Sequence, residues 1–314
     1  MPTSARALLL CLALLGCQAR RAKTPDWVLS APAATAVAIS GRAAWVLEQP
    51  HYQAILERFP PAELALATFL RRTHINARQD MGRVTVYVSN PTPPAGPGAP
   101  AEFLIQMAGF RNPGKVQVAI ADAFPSEGTL PMDNRDLPLF ILMELPPYHL
   151  RAMADGEGRV WLGDLTSLAR LGSGGPYTWR SLAASADWIS DRATVRGFVR
   201  PQDLLQATSR KLPGELARAL PPGIETLAWG LTPGVEADDL NGFELSLTGT
   251  AEAVQGTSSW LQRFVDTVMA VPGAPNQVPE LLQEQHRIGL RCALTQAQVN
   301  VAMARLGQPS IPCH

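Results

Sequence analysis

Apolar residues along this chain fall into short runs with two different periods, and the two alternate. Thr35 to Ser40 is largely apolar and closed by Gly41, which predicts a buried strand. Helical patterns follow through Leu56 and again from Ala62 to Arg72, punctuated by Pro50, Pro60 and Pro61. Val84, Val86 and Val88 alternate with polar neighbours, as do Phe103, Ile105 and Met107, which predicts two half-buried strands. The stretch Pro91 to Pro100 between them (PTPPAGPGAP) neither packs nor pairs well and predicts a loop. Val116, Val118 and Ile120 alternate like a strand, but Asn112 and Pro113 have the character of an N-cap and a first helical residue, so the segment is read as a helix. Leu139 to Leu145 is almost unbroken apolar sequence, as in a strand covered on both faces. Tyr148–Ala154 and Arg159–Gly163 flank Asp155-Gly156-Glu157-Gly158, a hairpin turn, and a helix runs on to Leu171.

Much of this order returns later. Residues 194–200 predict a strand, Pro201 opens a helix, and two strands centre on Leu227 and on Leu245 and Leu247. A long helix then carries Val254, Leu261, Phe264, Val265 and Val268 on one face. A strand with Ile288, Leu290, Cys292 and Leu294 and a last helix to Leu306 complete the chain. The pattern predicts an α+β fold of two pseudo-repeated halves, residues 34–172 and 192–314, joined by a connecting segment over 173–191. Each half is expected to hold an antiparallel or mixed sheet packed by helices.

The first residues follow a different logic. After Arg6, Ala7 to Leu15 gives nine apolar residues (ALLLCLALL), where spanning a bilayer needs about 20. This is the length of the apolar middle of a secretory signal peptide. Leu14-Leu15-Gly16-Cys17 follows at once and resembles the bacterial lipobox, with Leu15 where a small or β-branched residue is more usual. The resemblance implies a signal peptide over 1–16, diacylglycerol on the Cys17 thiol, and an acylated (palmitate-type) new amino terminus. Gln18, where lipoproteins of the inner membrane carry Asp, implies an address at the outer membrane facing the periplasm. The alternative is a plain signal peptide cut near Ala19. Residues 17–33 are polar or small, with Pro25 and Pro32, and read as a lipidated tether of ~15 residues reaching ~50 Å at most. Over most of residues 34–306 the chain also resembles a loose group of uncharacterised exported bacterial proteins with two α+β pseudo-repeats. That resemblance implies the fold and carries no activity.

Composition narrows the function classes. With Lys+Arg and Asp+Glu at 27 each, no bulk field attracts nucleic acid, and no nucleic-acid partner is expected. The positive charge is nearly all Arg, scattered through an Ala-rich chain, the pairing that a GC-rich genome yields. His51, His74, His149, His286 and His314 are far apart, with no HExxH or CxxC, so no metal or cofactor is expected. Asp133-Asn134-Arg135-Asp136 reads as a polar turn, and Asp238-Asp239 as a solvated one. Gly172-Ser173-Gly174-Gly175 is the one glycine-dense loop, without a Walker lysine, ahead of Tyr177, Trp179 and Arg180. It reads as a connection. After processing, Cys292 and Cys313 remain unmodified. A bond between them would close a loop of ~20 residues, worth ~3 kcal/mol on the chain-entropy estimate. Alternatively, Cys292 is a buried apolar filler.

These signals predict a non-enzymatic, membrane-anchored envelope lipoprotein that binds or scaffolds an envelope protein at the membrane surface. The alternatives are a carrier of an apolar ligand in a cleft between the halves, and an enzyme whose site is assembled from distant residues.

Overall fold

The computed structural model describes residues 31–32, 35–47, 60–89, 102–132, 135–146, 148–155, 158–173, 187–201, 220–234, 240–271 and 279–305. The expected signal peptide, most of the expected tether, the expected 91–100 loop, Tyr177, Trp179, Arg180, Asp238-Asp239 and Cys313 lie outside these residues.

Among the described residues the fold is mixed α+β around one antiparallel sheet of twelve strands. Strands β1 (Thr35–Arg42), β2 (Arg83–Ser89) and β3 (Glu102–Ala108) form a meander. Helix α4 (Pro113–Ala123) then carries the chain to the edge, and β4 (Ser126–Met132), β5 (Arg135–Leu145), β6 (Tyr148–Ala154) and β7 (Val160–Asp164) return by hairpins until β7 pairs with β3. Beyond β1 lie β8 (Val195–Val199), β9 (Ile224–Thr232) and β10 (Asn241–Gly249), a second meander. Helix α6 (Ala251–Met269) leads to the opposite edge strand β11 (Glu280–Glu284), whose hairpin partner β12 (Arg287–Leu294) pairs with β10. The sheet order is therefore β11-β12-β10-β9-β8-β1-β2-β3-β7-β6-β5-β4. All strands before residue 172 lie on one side of the β1–β8 ladder and all later ones on the other.

Alternate side chains on each strand point to opposite faces, and the two faces differ. The first face carries Ile105, Met107, Leu162, Trp229, Phe243, Leu245 and Leu247 in one continuous core spanning both sides of the ladder. Four helices close it: α2 (Pro60–Thr73), α4, α6 and α7 (Gln296–Arg305) contribute Phe69, Ile120, Phe264 and Val299. Two one-turn helices, α1 (Ala43–Val46) and α3 (Ala77–Asp80), sit where β1 leaves the sheet and β2 enters it. The α4 segment is a helix because Asn112 caps it, accepting from the Lys115 backbone N–H at 3.1 Å, with Pro113 at its start. Its strand-like alternation is only partly used: Val116 and Ile120 are buried and Val118 is exposed.

The second face holds a smaller core of Ala38, Tyr87, Leu104, Leu139, Met153, Trp161 and Phe198. Helix α5 (Leu165–Ser173) covers its first part through Leu168. Thus the helices after β7 and β12 go to opposite faces. Over the other part, Trp188 and Ile189 of the connecting segment pack onto the sheet. A Cβ on Gly289 would lie 2.9 Å from the Trp188 ring, and one on Gly230 would lie 2.6 Å from Ile189, so only glycine admits these two side chains.

Two expectations change. Strands β2 and β3 are buried on both faces, not half-buried, because the second layer also covers Thr85, Tyr87 and Gln106. Strands β4 and β11, at the two edges, have no counterpart in the apolar pattern, since their side chains are mostly exposed.

Candidate functional site

Following the register from strand to strand on the second face gives one side chain from each. The row reads Glu280, Arg291, Glu244, Gly230, Arg196, Ser40, Thr85, Gln106, Trp161, Met153, Leu139 and Gly128. From Glu280 to Gln106 every member is polar or glycine. A polar row beneath a covering layer must be paired to be tolerated, and its pairings divide it into three parts.

On the β12 side, Glu244 and Arg291 hold the connecting segment. The Glu244 carboxylate accepts from the Ser190 backbone N–H at 2.5 Å and lies 3.1 Å from Arg291 Nε. Arg291 donates to the Trp188 carbonyl at 2.7 Å and stacks 3.9 Å from the Trp188 ring centre. Burial raises the Glu244 pKa against the opposing pull of the Ser190 N–H and Arg291.

At the centre, Thr85 donates to the Ser40 hydroxyl at 2.8 Å, and Tyr87 donates to Gln106 Oε1 at 3.1 Å. Burial pushes the Tyr87 phenol well above its ordinary range. Three arginines stand beside the hydroxyl pair. Arg42 and Arg83 are directly opposite one another on the β1–β2 ladder, and Arg196 is opposite Ser40. Arg83 donates to the Ala193 carbonyl at 3.0 Å and approaches Ser40 Oγ at 3.5 Å, while Arg196 donates to Asp191 at 3.0 Å. The Arg83 pKa is lowered to about 10 by burial first, then by Arg196 and Arg42, with Asp191 pulling upward.

On the β4 side, next to the row, Arg151 is buried between Glu127, which it meets through two nitrogens, and Glu144 at 2.6 Å. His149 meets the other oxygen of Glu144. The His149 hydrogen bond, followed by Arg151, holds the Glu144 carboxyl below its ordinary value. A carboxylate depressed in the folded state stabilises the fold above its unfolded pKa of about 4.3, and that stabilisation is lost as the pH falls through the folded value. Glu144→Gln is therefore expected to flatten the acid limb of stability, read as the urea midpoint between about pH 5 and pH 3. Glu244 is raised and has the opposite sign, losing stability as pH rises from its unfolded value through its folded one. Glu244→Gln should leave the Glu144 acid limb in place. An acid limb unchanged by Glu144→Gln would contradict the assignment.

The residues singled out from the sequence alone do not gather at this row. Cys17 and Cys313 lie outside the described residues. Cys292, on β12, packs against the first-face core, where burial pushes its thiol up to about 12. That fits an apolar filler and leaves the bond to Cys313 open. His74 follows the end of α2, His149 is on β6 and His286 is in the turn between β11 and β12, and among the described residues no group of three His, Cys, Asp or Glu side chains could hold a metal ion. No helix among the described residues is long and apolar enough to cross a membrane. The three arginines beside the hydroxyl pair carry no shared signal in the sequence. Arg42, Arg83 and Arg196 are far apart in the chain and meet only through the β2–β1–β8 register, so the one signal was arginine near the ends of three predicted strands. No family model, no curated protein and no solved structure matches this chain.

Proposed function

We propose that this chain is an envelope lipoprotein, anchored in the outer membrane facing the periplasm by fatty acyl chains on Cys17, and that its folded body binds or scaffolds a partner at that surface. The observation that carries this reading is the nine-residue apolar run ending on Leu14-Leu15-Gly16-Cys17. Further support comes from where the tether joins the fold. Thr35 N–H donates to the Pro32 carbonyl at 2.9 Å, and the chain enters the sheet at β1, an interior strand. Attachment through an interior strand leaves the backbone edges of β4 and β11 at the two far ends of the sheet. Edge strands present unpaired backbone groups that another chain can join. Leu281, half-exposed on β11, adds an apolar contact there.

We also infer that residues 34–172 and 192–314 are pseudo-repeats. Each supplies a three-strand meander, a helix crossing to the edge, and a strand returning beside the third, and the first strands of the two pair antiparallel. The additional hairpins β4–β6 and the opposite placement of α5 and α7 are where the repeats diverge.

The test is metabolic labelling with a palmitate analogue. Wild type is expected to take up label and Cys17→Ala to take up none. Equal label in the two proteins ends the lipoprotein reading.

A further inference from the structure

The three arginines on the second face present a charge arrangement that the fold alone does not account for. Arg42 and Arg83 are paired directly across an antiparallel ladder, where like charges destabilise. Arg196 stands on the other side of Ser40 from Thr85, and its charge also reaches Arg83. Among the described residues, Asp191 is the one carboxylate acting on Arg83. It is 78% exposed and is hydrogen-bonded to Arg196, so solvent weakens its pull. Half-buried Arg83 is nevertheless held in place, by the Ala193 carbonyl at 3.0 Å and by Ser40 Oγ at 3.5 Å. A guanidinium has five N–H donors in a rigid fork. Those two contacts use two of the five donors, and Arg42, the residue directly opposite, is exposed.

We propose that Arg42 and Arg83, backed by Arg196, bind a phosphate group. A tetrahedral dianion supplies the opposite charge that the directly opposed pair Arg42 and Arg83 calls for. Its oxygens accept from two forks at once, the geometry in which arginine surpasses lysine. The Ser40 and Thr85 hydroxyls complete the polar floor behind it, linked to each other at 2.8 Å. The phosphate group is carried either by a free phosphate or phosphoester, or by the headgroup of an anionic phospholipid. The proposal does not depend on Cys17 and is independent of the anchoring reading.

The experiment uses the full chain carrying Cys17→Ala, so that no acyl chain drives membrane binding. In one arm, inorganic phosphate is titrated at constant ionic strength against chloride, and binding is read by calorimetry and by thermal unfolding. In the other, flotation is measured with phosphatidylcholine vesicles with and without phosphatidic acid. Arg42→Gln removes an exposed side chain and tests the site without touching the core. Arg263→Gln, on α6, is the control. Phosphate binding weakened at least about tenfold by Arg42→Gln and unchanged by Arg263→Gln supports the site with a soluble ligand. Flotation that needs phosphatidic acid and Arg42, without binding of inorganic phosphate, supports it with a lipid headgroup. No response in either arm, or equal responses of Arg42→Gln and its parent, overturns the proposal. Arg83→Gln adds a second reading. If the site binds phosphate, this variant loses binding while its phosphate-free melting temperature holds or rises, because a like-charge pair has gone.

Discussion

Cys17→Ala should transfer this protein from the membrane pellet to the soluble fraction almost completely. A single acyl chain gives marginal, reversible binding, and each buried CH₂ contributes about 0.8 kcal/mol, so two or three chains on one residue hold a protein for far longer than a fractionation lasts. On the proposed anchoring, the rest of the amino-terminal region does not replace the acyl chains. The apolar run Ala7–Leu15 has nine residues, against the ~20 needed to span a bilayer, and Arg20, Arg21 and Lys23 at the membrane end of the tether contribute only ~1 kcal/mol each near an anionic surface. The tether basic residues are therefore expected to slow the loss and not to prevent it. Envelope fractionation of wild type, Cys17→Ala, and a triple variant of Arg20, Arg21 and Lys23 to Gln separates the two contributions. Wild type and the triple variant should sediment with membranes, and Cys17→Ala should not. A Cys17→Ala protein that stays with the pellet, and is not washed off by salt, would show that the folded body holds the membrane by itself.

The elements that were legible in the sequence are those whose apolar residues recur with one period. The six strands around residues 35–40, 84–88, 103–107, 227, 245–247 and 288–294 all fall in the interior of the sheet, and each sends apolar side chains into the first-face core. Helix α6 was equally plain, since Val254, Leu261, Phe264 and Val268 repeat at helical spacing and all are buried. The pattern was silent at β4 and β11 because an edge strand whose side chains are mostly exposed needs little apolar alternation and is held by its one neighbour, β5 or β12. It misled at β2 and β3, where Thr85, Tyr87 and Gln106 suggested a wet face. Under a second layer Thr85 pairs with Ser40 and Tyr87 with Gln106, and local sequence does not distinguish a buried hydroxyl with a partner from an exposed one. The candidate site was illegible for a further reason. Which of the scattered arginines meet is decided by register between strands that are distant in the chain, and register is a property of the assembled sheet.

Because the first-face core runs unbroken across the β1–β8 ladder, a cavity in one half should be felt in both. Phe243 on β10 is the clearest place to make one. It is fully buried, its ring lies 6.2 Å from that of Phe264, and Phe264 in turn lies 5.5 Å from Trp260 on the same helix. Phe243→Ala removes the ring beneath α6, and its β-sheet floor is fixed by ladders to β9 and β12, so the site has little freedom to collapse. The expected cost is ~3–5 kcal/mol, the range for truncating a large aromatic in a rigid core. That is a sizeable part of the ~5–15 kcal/mol by which most native proteins are stable. The sharper expectation concerns where the loss is seen. The β1–β8 ladder pairs Val37–Gly41 with Val195–Val199, and the core joins Val84, Ile105 and Leu162 to Trp229, Leu245 and Leu290 without a break. Amide exchange in Val84–Val88 and Phe103–Met107, on the far side of the ladder, should therefore accelerate along with that in Phe243–Leu247. Unfolding in urea should remain a single transition with a lower midpoint. Two transitions, the later one keeping the wild-type midpoint, would mean that the ladder joins two independently stable bodies and that continuity of backbone pairing does not by itself make the sheet one cooperative unit.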